Sequence, residues 1–237
     1  MKSRFLQIIS DYVDDLSHII YPNVCQNCSD VLISGEEFLC IKCLHKLPVT
    51  MFHRLSPNPV EKKLFGRIPI KKATSAFYYH KSNSIQKLLH KVKYKHKVKL
   101  CAKLGYLFAL KLEEAGYFEN VDMILPVPMH KSKFRSRGFN QCVIFAEELS
   151  KYSSIECSDS ALKRVKSGKS QTKKDKYHRW KTISGDFICN DREKVEGKNI
   201  LLIDDVITTG STLEACTKAI LNKTNAEFNI ATFAYAD

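Results

Sequence analysis

No run of eighteen consecutive apolar residues occurs anywhere in the 237-residue chain, so no membrane-spanning helix is indicated. A secretory signal is not expected either: Phe5 to Ile20 is apolar enough to suggest one, but Asp11, Asp14 and Asp15 interrupt it and no small-residue cleavage site follows. A cytoplasmic location is therefore expected. No Gly-x-x-x-x-Gly-Lys is present, which excludes a Walker-type phosphate loop. There is no low-complexity tract and no internal repeat beyond one pair of cysteine knuckles. Acids are scarce, with 25 Asp and Glu against 38 Lys and Arg, for a formal net charge of +13. The nine cysteines form an odd set without a secretory segment, which argues against a disulfide framework.

What is present is enough for a folded protein. Apolar residues make up 44% of the chain, which excludes general disorder, and the length allows one sizeable α/β domain plus a small module. Phe5, Ile8, Ile9, Tyr12, Leu16 and Ile19 recur at helical spacing and predict an amphipathic helix within residues 1–22, suited to packing, with membrane association or dimerisation as alternatives. Cys25-x-x-Cys28 and Cys40-x-x-Cys43 lie eleven residues apart, within a predicted module of residues 23–48. Four thiolates in two such pairs close a tetrahedron around structural zinc and leave no open position for chemistry; His45 is near enough to replace one ligand. Cys101, Cys142 and Cys216 fall among apolar neighbours on helical patterns and are expected to be buried. Pro48, Pro57, Pro59 and Pro69 mark residues 49–72 as a connector to a main domain over 73–237.

The most informative segment runs from Asn199 to Leu213. Ile200 to Ile203 lack polar alternation, as expected of a central parallel strand covered on both faces. Asp204 and Asp205 follow at its carboxyl end, the edge where open α/β sheets hold ligands. Thr208, Thr209, Gly210, Ser211 and Thr212 then bring hydroxyls, a flexible glycine and the exposed N–H groups of a helix start, which together favour an anion. Carboxylates accept hydrogen bonds from vicinal hydroxyls, so a sugar phosphate fits the pair. The bland alternative is a helix capped by Ser211 or Thr212, with solvated acids beside it.

Asp204 to Thr212 resembles the phosphoribosyl pyrophosphate motif of type I phosphoribosyltransferases. The resemblance implies that Asp204 and Asp205 hold the ribose 2- and 3-hydroxyls and that the Thr208 to Thr212 loop holds the 5-phosphate. Magnesium would accompany the ligand, held mainly by the ligand's own oxygens and water. A second block, Asp122 to Gln141, includes Pro126-Val-Pro128 and Arg137-Gly-Phe-Asn-Gln141. On its residues it reads as a strand, Val121 to Leu125, then a basic loop from Lys131 to Arg137, then a helix Asn140 to Tyr152. It closely resembles the ComF (ComFC) family of competence-associated proteins, many of which also begin with a four-cysteine segment. That likeness implies a pyrophosphate loop at Val127, Pro128 and Met129, with Arg137 on the phosphates through its forked guanidinium.

The surplus charge is clustered. Lys87 to Lys103 holds seven lysines and no acid, and Lys163 to Lys181 holds nine Lys or Arg against Asp175 alone. Aromatics lie within both, a pattern that suits single-stranded nucleic acid, a strongly anionic small molecule, or merely a basic surface. Lys91, Lys93, Tyr94, Lys95 and Arg179 are the nucleic-acid candidates. Lys93-Tyr94 and the Gln171 to Arg179 spacing resemble ComF proteins, whereas Thr182 departs from the family's usual Asn.

Ala73 to Tyr79, Phe187 to Cys189 and Phe228 to Tyr235 read as further strands, the last closing the domain, and Ile85 to Val92 and Leu100 to Ala115 as helices. The expected fold is a parallel-sheet α/β core of type I phosphoribosyltransferase kind with a small four-cysteine zinc module. The expected function is binding of phosphoribosyl pyrophosphate with a role in DNA uptake and natural transformation through single-stranded DNA. DNA-uptake or recombination proteins are the expected protein partners. The alternative is an active phosphoribosyltransferase of nucleotide or amine metabolism. The residues specify neither its acceptor nor a general base.

Overall fold

The computed structural model describes residues 22–95, 97–165 and 186–237. The amphipathic pattern of Phe5 to Ile20 and the candidates Gln171, Arg179 and Thr182 lie outside the described residues. Two compact units are present, Met1–Leu47 and Pro48–Asp237.

In the first unit the first cysteine pair lies between the bridged residues Val24 and Val31, and the second pair opens helix α1, Ile41–His45. Cys25, Leu39, Cys40, Cys43 and Leu47 are its buried residues among those described, a core too small to be held by apolar packing alone.

The second unit is built on a four-stranded, wholly parallel sheet. Its strands are β1 (Lys72–Tyr78), β2 (Met123–Pro126), β5 (Asn199–Ile207) and β6 (Glu227–Tyr235), in the order β1-β6-β5-β2. The expected parallel α/β core is thus observed. Ile200, Leu201, Leu202 and Ile203 are fully buried, as their unbroken apolar run requires. β6, the strand that closes the domain in sequence, is central in the sheet: it pairs with both β1 and β5, and every residue from Phe228 to Tyr235 is buried, the polar Asn229 and Thr232 included. β3 (Leu162–Arg164) and β4 (Phe187–Cys189) form a separate antiparallel ribbon.

Helices cover both faces of the sheet. On one side α4 (Val98–Glu114) and α6 (Gln141–Ser153) carry Phe108 and Phe145 onto Phe233, with ring centroids 4.9 to 6.2 Å apart. Gly105 permits this approach, since a Cβ there would lie 3.3 Å from the Phe145 Cα. On the other side α2 (Pro59–Leu64) and α8 (Ser211–Leu221) bury Val60, Leu64, Leu213, Cys216 and Ile220 against Ile200, Leu202 and Ile230. Asn58 starts α2 with a capping box to Glu61, so residues 49–72 contain ordered helix and belong to the same unit as the sheet. The helices that follow β2 and β5 therefore leave on opposite faces. That divergence opens a crevice between the two carboxyl ends.

Lys131 to Arg137, expected as a loop, is a helix, α5 (Lys131–Arg137). The His130 side chain accepts from the Ser132 N–H at its start, and Gly138 ends it at φ +79°. Seven residues free of Gly and Pro between those two caps favour a helix despite their charge. Helix α3 (Ser84–Lys95) precedes α4, and the short α7 (Arg192–Val195) precedes β5.

Candidate functional site

β5 runs through both acids and ends only at Ile207, so Asp204 and Asp205 are fixed by the ladder rather than by a loop. Asp204 is buried, and its Oδ1 accepts from the Asp205 N–H at 2.8 Å and from the Cys142 thiol at 3.5 Å. Asp205 faces the crevice and is ion-paired with Lys93 of α3. Its Oδ2 also accepts from Gln141 Nε2 at 2.7 Å, and Gln141 Oε1 in turn accepts from the Arg137 guanidinium. A relay of side chains from α3, α5, α6 and β5 thus converges on the second acid.

Electrostatics follow from this geometry. Burial, and then the charge of Asp205, push the Asp204 carboxyl up to about 7. Burial works against the Lys93 ammonium, but the Asp205 carboxylate outweighs it, and Lys93 is held above its usual range. Cys142 is raised well above an ordinary thiol by burial and then by the two carboxylates, so it remains a protonated donor.

The loop after β5 forms a small cradle of about 20 Å³ lined by Thr208 to Leu213. Gly210 is the N-cap of α8 with φ +76°, and a Cβ there would lie 2.8 Å from Leu64 Cδ2, so glycine is required on two counts. No side chain caps α8, and neither Ser211 nor Thr212 is the N-cap; Thr209 Oγ1 and Ser211 Oγ lie 3.0 Å apart at the loop's edge. Arg67 fastens the loop by donating to the Thr209 carbonyl, and its Nε donates to Glu214 Oε2 at 2.9 Å.

Beside the cradle lies a cleft of about 200 Å³. Val127, Pro128 and Met129 form one wall, and Lys93, Lys133, Arg137 and Arg164 supply four cations around the two acids. Val127 N–H donates to the Ile203 carbonyl at 2.9 Å and its own carbonyl accepts from Asn140 Nδ2 at 3.0 Å. Both its main-chain groups are engaged in the fold, and Pro128 has no N–H. Arg164 lies over the Phe187 ring at 5.1 Å, and its buried Nε has no partner among the described residues.

Asp204, Asp205, Arg137, the 127–129 wall and the Thr208 to Thr212 loop therefore come together. Lys93, read with the nucleic-acid candidates, turns into the cleft, whereas its neighbour Tyr94 is exposed beside His90 at 4.6 Å. Lys91 shares α3 with them. The Lys95 side chain and Arg179 are outside what the structure describes. Sequence reasoning missed Gln141, Cys142, Arg67 and Arg164 as parts of this site. The i,i+4 spacing of Arg137 and Gln141 could have signalled their contact. Nothing local marks Arg67, which is 142 residues from Thr209.

In the first unit the ligand atoms of Cys25, Cys28, Cys40 and Cys43 lie within 4.8 Å of one another, and the cluster can hold a zinc ion. Cys28 Sγ and Cys40 Sγ are 3.7 Å apart, against about 3.8 Å for the edge of a zinc–thiolate tetrahedron with bonds of about 2.3 Å. N–H donors reach the sulfurs from Cys40 at 3.4 Å and from the Asn27 side chain at 3.3 Å. N–H groups aimed at the sulfurs in this way stabilise thiolates. Burial opposes ionisation of Cys25, yet main-chain donors prevail and lower it to about 6.

The Phosphoribosyl transferase domain family matches residues 139–237, which include Gln141, both acids and the whole cradle. Competence protein F of Haemophilus influenzae is 29% identical over 53% of this chain, and the match spans 55% of that protein. Competence protein ComFC of Bacillus subtilis is 36% identical over 44% of this chain and 40% of its own length. DNA utilization protein YhgH of Escherichia coli (strain K12) is 24% identical, with 84% of both chains covered.

Proposed function

The chain belongs to the ComF family, and from that premise we propose that it binds phosphoribosyl pyrophosphate and acts in DNA uptake during natural transformation, handling single-stranded DNA. The observation that carries the sugar-phosphate reading is the meeting of the Thr208 to Thr212 cradle, the paired acids and four cations at one sheet edge. The 5-phosphate occupies the cradle, where hydroxyls and the α8 start provide donors. The ribose diol donates to Asp204 and Asp205. Pyrophosphate lies along 127–129 with Lys133 and Arg137, where a forked guanidinium matches phosphate oxygens.

Lys93 neutralises Asp205 before the ligand arrives, and its ammonium transfers to pyrophosphate when the diol takes its place. Magnesium fits the ligand better than the protein here, because the protonated Cys142 beside the acids is a poor donor to a hard cation. Its contribution when bound is to neutralise the pyrophosphate. The competence and DNA-utilization names of the relatives support the cellular role. Exposed Tyr94 on the lysine-rich α3 supports single-strand contact.

A second reading is turnover, in which a nitrogen nucleophile displaces pyrophosphate at the anomeric carbon. The cation cluster favours it, since charge growing on the leaving group would be met by groups already in position. Calorimetry with magnesium and phosphoribosyl pyrophosphate tests the binding claim. Heat should be lost in Asp204→Ala/Asp205→Ala, and equal affinity in the double variant would remove the assignment. Pyrophosphate release over a panel of nucleobases and amines tests turnover.

A further inference from the structure

We propose that a second cavity, on the opposite side of α5 from the sugar cleft, receives one base of a single-stranded DNA. The base stacks on Phe134, and Lys131 and Arg135 hold the adjoining phosphates. This rests on the DNA reading above and supplies a site for it distinct from α3.

The geometry comes from helical spacing. Residues three and four apart share a face, so Lys131, Phe134 and Arg135 project one way while Lys133 and Arg137 project another. The two faces line different hollows: Lys133 and Arg137 border the cleft that holds the acids, and Lys131, Phe134 and Arg135 border a cavity of about 280 Å³. Pro126, Met129 and Val143 make the inner wall of that cavity apolar. Its volume lies just under the range of about 300–1,000 Å³ typical of drug-sized ligand sites, which suits one ring system.

The chemistry of the lining selects the occupant. Phe134 is 50% exposed, a large ring left at the mouth of an apolar hollow. α5 carries four cations and no acid. A π-face beside a basic rim matches a base flanked by phosphates, the combination by which proteins grip single strands. Asp159 is the one carboxylate on the lining and offers an acceptor to an exocyclic amino group. Pro128, Met129 and Asn140 are shared with the cleft, so a strand lying here passes next to the sugar-phosphate site.

The test uses the full chain with a fluorescent single-stranded oligonucleotide, read by anisotropy across a salt series, and with magnesium and phosphoribosyl pyrophosphate in calorimetry. Phe134→Ala should weaken oligonucleotide binding by roughly 5- to 150-fold, the loss of one base stack, and Phe134→Trp should restore it. Lys131→Ala with Arg135→Ala should flatten the salt dependence by about 0.7 in slope per lost phosphate contact. Sugar-phosphate affinity should be unchanged in all three variants. Oligonucleotide affinity unaltered by Phe134→Ala would overturn this site while leaving DNA binding in place. Equal losses of DNA and sugar-phosphate affinity would also overturn it, by making the cavity part of the cleft. If the wild-type chain bound no oligonucleotide, the DNA reading itself would fall and this proposal with it.

Discussion

Gly210 offers a test in which the structure sets the size of the effect. Its φ of +76° costs an alanine about 1–2 kcal/mol, the penalty of the left-handed region for a residue with a Cβ. The added methyl would also lie 2.8 Å from Leu64 Cδ2, and Leu64 is fully buried in the core and cannot swing aside. Overpacking of that kind costs about 1–3 kcal/mol more. Gly210→Ala should therefore lose about 2–5 kcal/mol in urea unfolding. Gly197 provides the control, because its φ is +66° but nothing lies within 4 Å of the position of its Cβ. Gly197→Ala should lose only the backbone part, about 1–2 kcal/mol. Because relief of the Leu64 clash pushes the loop away from α2, Gly210→Ala should also weaken sugar-phosphate binding at least about tenfold, or ~1.4 kcal/mol, whereas Gly197→Ala should not. The reasoning is refuted if the two variants lose the same stability, or if Gly210→Ala binds the ligand as the wild type does.

Three further outcomes follow from the site. Asp204 has a folded-state pKa raised to about 7 from 3.8, so the folded protein binds the extra proton between those values. Its contribution to stability should fall as pH rises from about 4 to 7 and level off above, and the difference between wild type and Asp204→Asn in urea titrations at several pH values would expose it. Gln141→Ala removes the hydrogen-bonded link between Arg137 and Asp205 and should lower sugar-phosphate affinity about 5- to 10-fold, and, because Gln141 is buried and makes both bonds before any ligand arrives, should also cost about 1–3 kcal/mol in urea unfolding. Purified protein should carry about one equivalent of zinc by metal analysis, and Cys25→Ser with Cys28→Ser should abolish it; zinc retained without those thiols would contradict the four-cysteine site.

The part of the site that is contiguous in the chain was legible before the structure. Ile200 to Ile203, the two acids and the Thr208 to Thr212 loop are one strand and one turn, and their order alone implies their geometry. Lys131 to Arg137 was misread as a loop because its cations draw attention from its caps, His130 and Gly138, which decide the helix. The central place of β6 was not legible, since strand neighbours are chosen by burial across the sheet and not by adjacency in sequence. Gln141 meets Asp205 across 64 residues and Arg67 meets Thr209 across 142, contacts that exist only once the sheet has formed. Lys93 illustrates the same limit: within a run of lysines nothing distinguishes the one that turns inward to an acid.

A crystal structure of the protein with magnesium and phosphoribosyl pyrophosphate tests the central claim most directly. The account predicts the 5-phosphate in the Thr208 to Thr212 cradle, the diol on Asp204 and Asp205, and Lys93 withdrawn from Asp205 toward the pyrophosphate. Ligand density elsewhere on the surface, with the Lys93–Asp205 pair intact and the cradle unfilled, would contradict it.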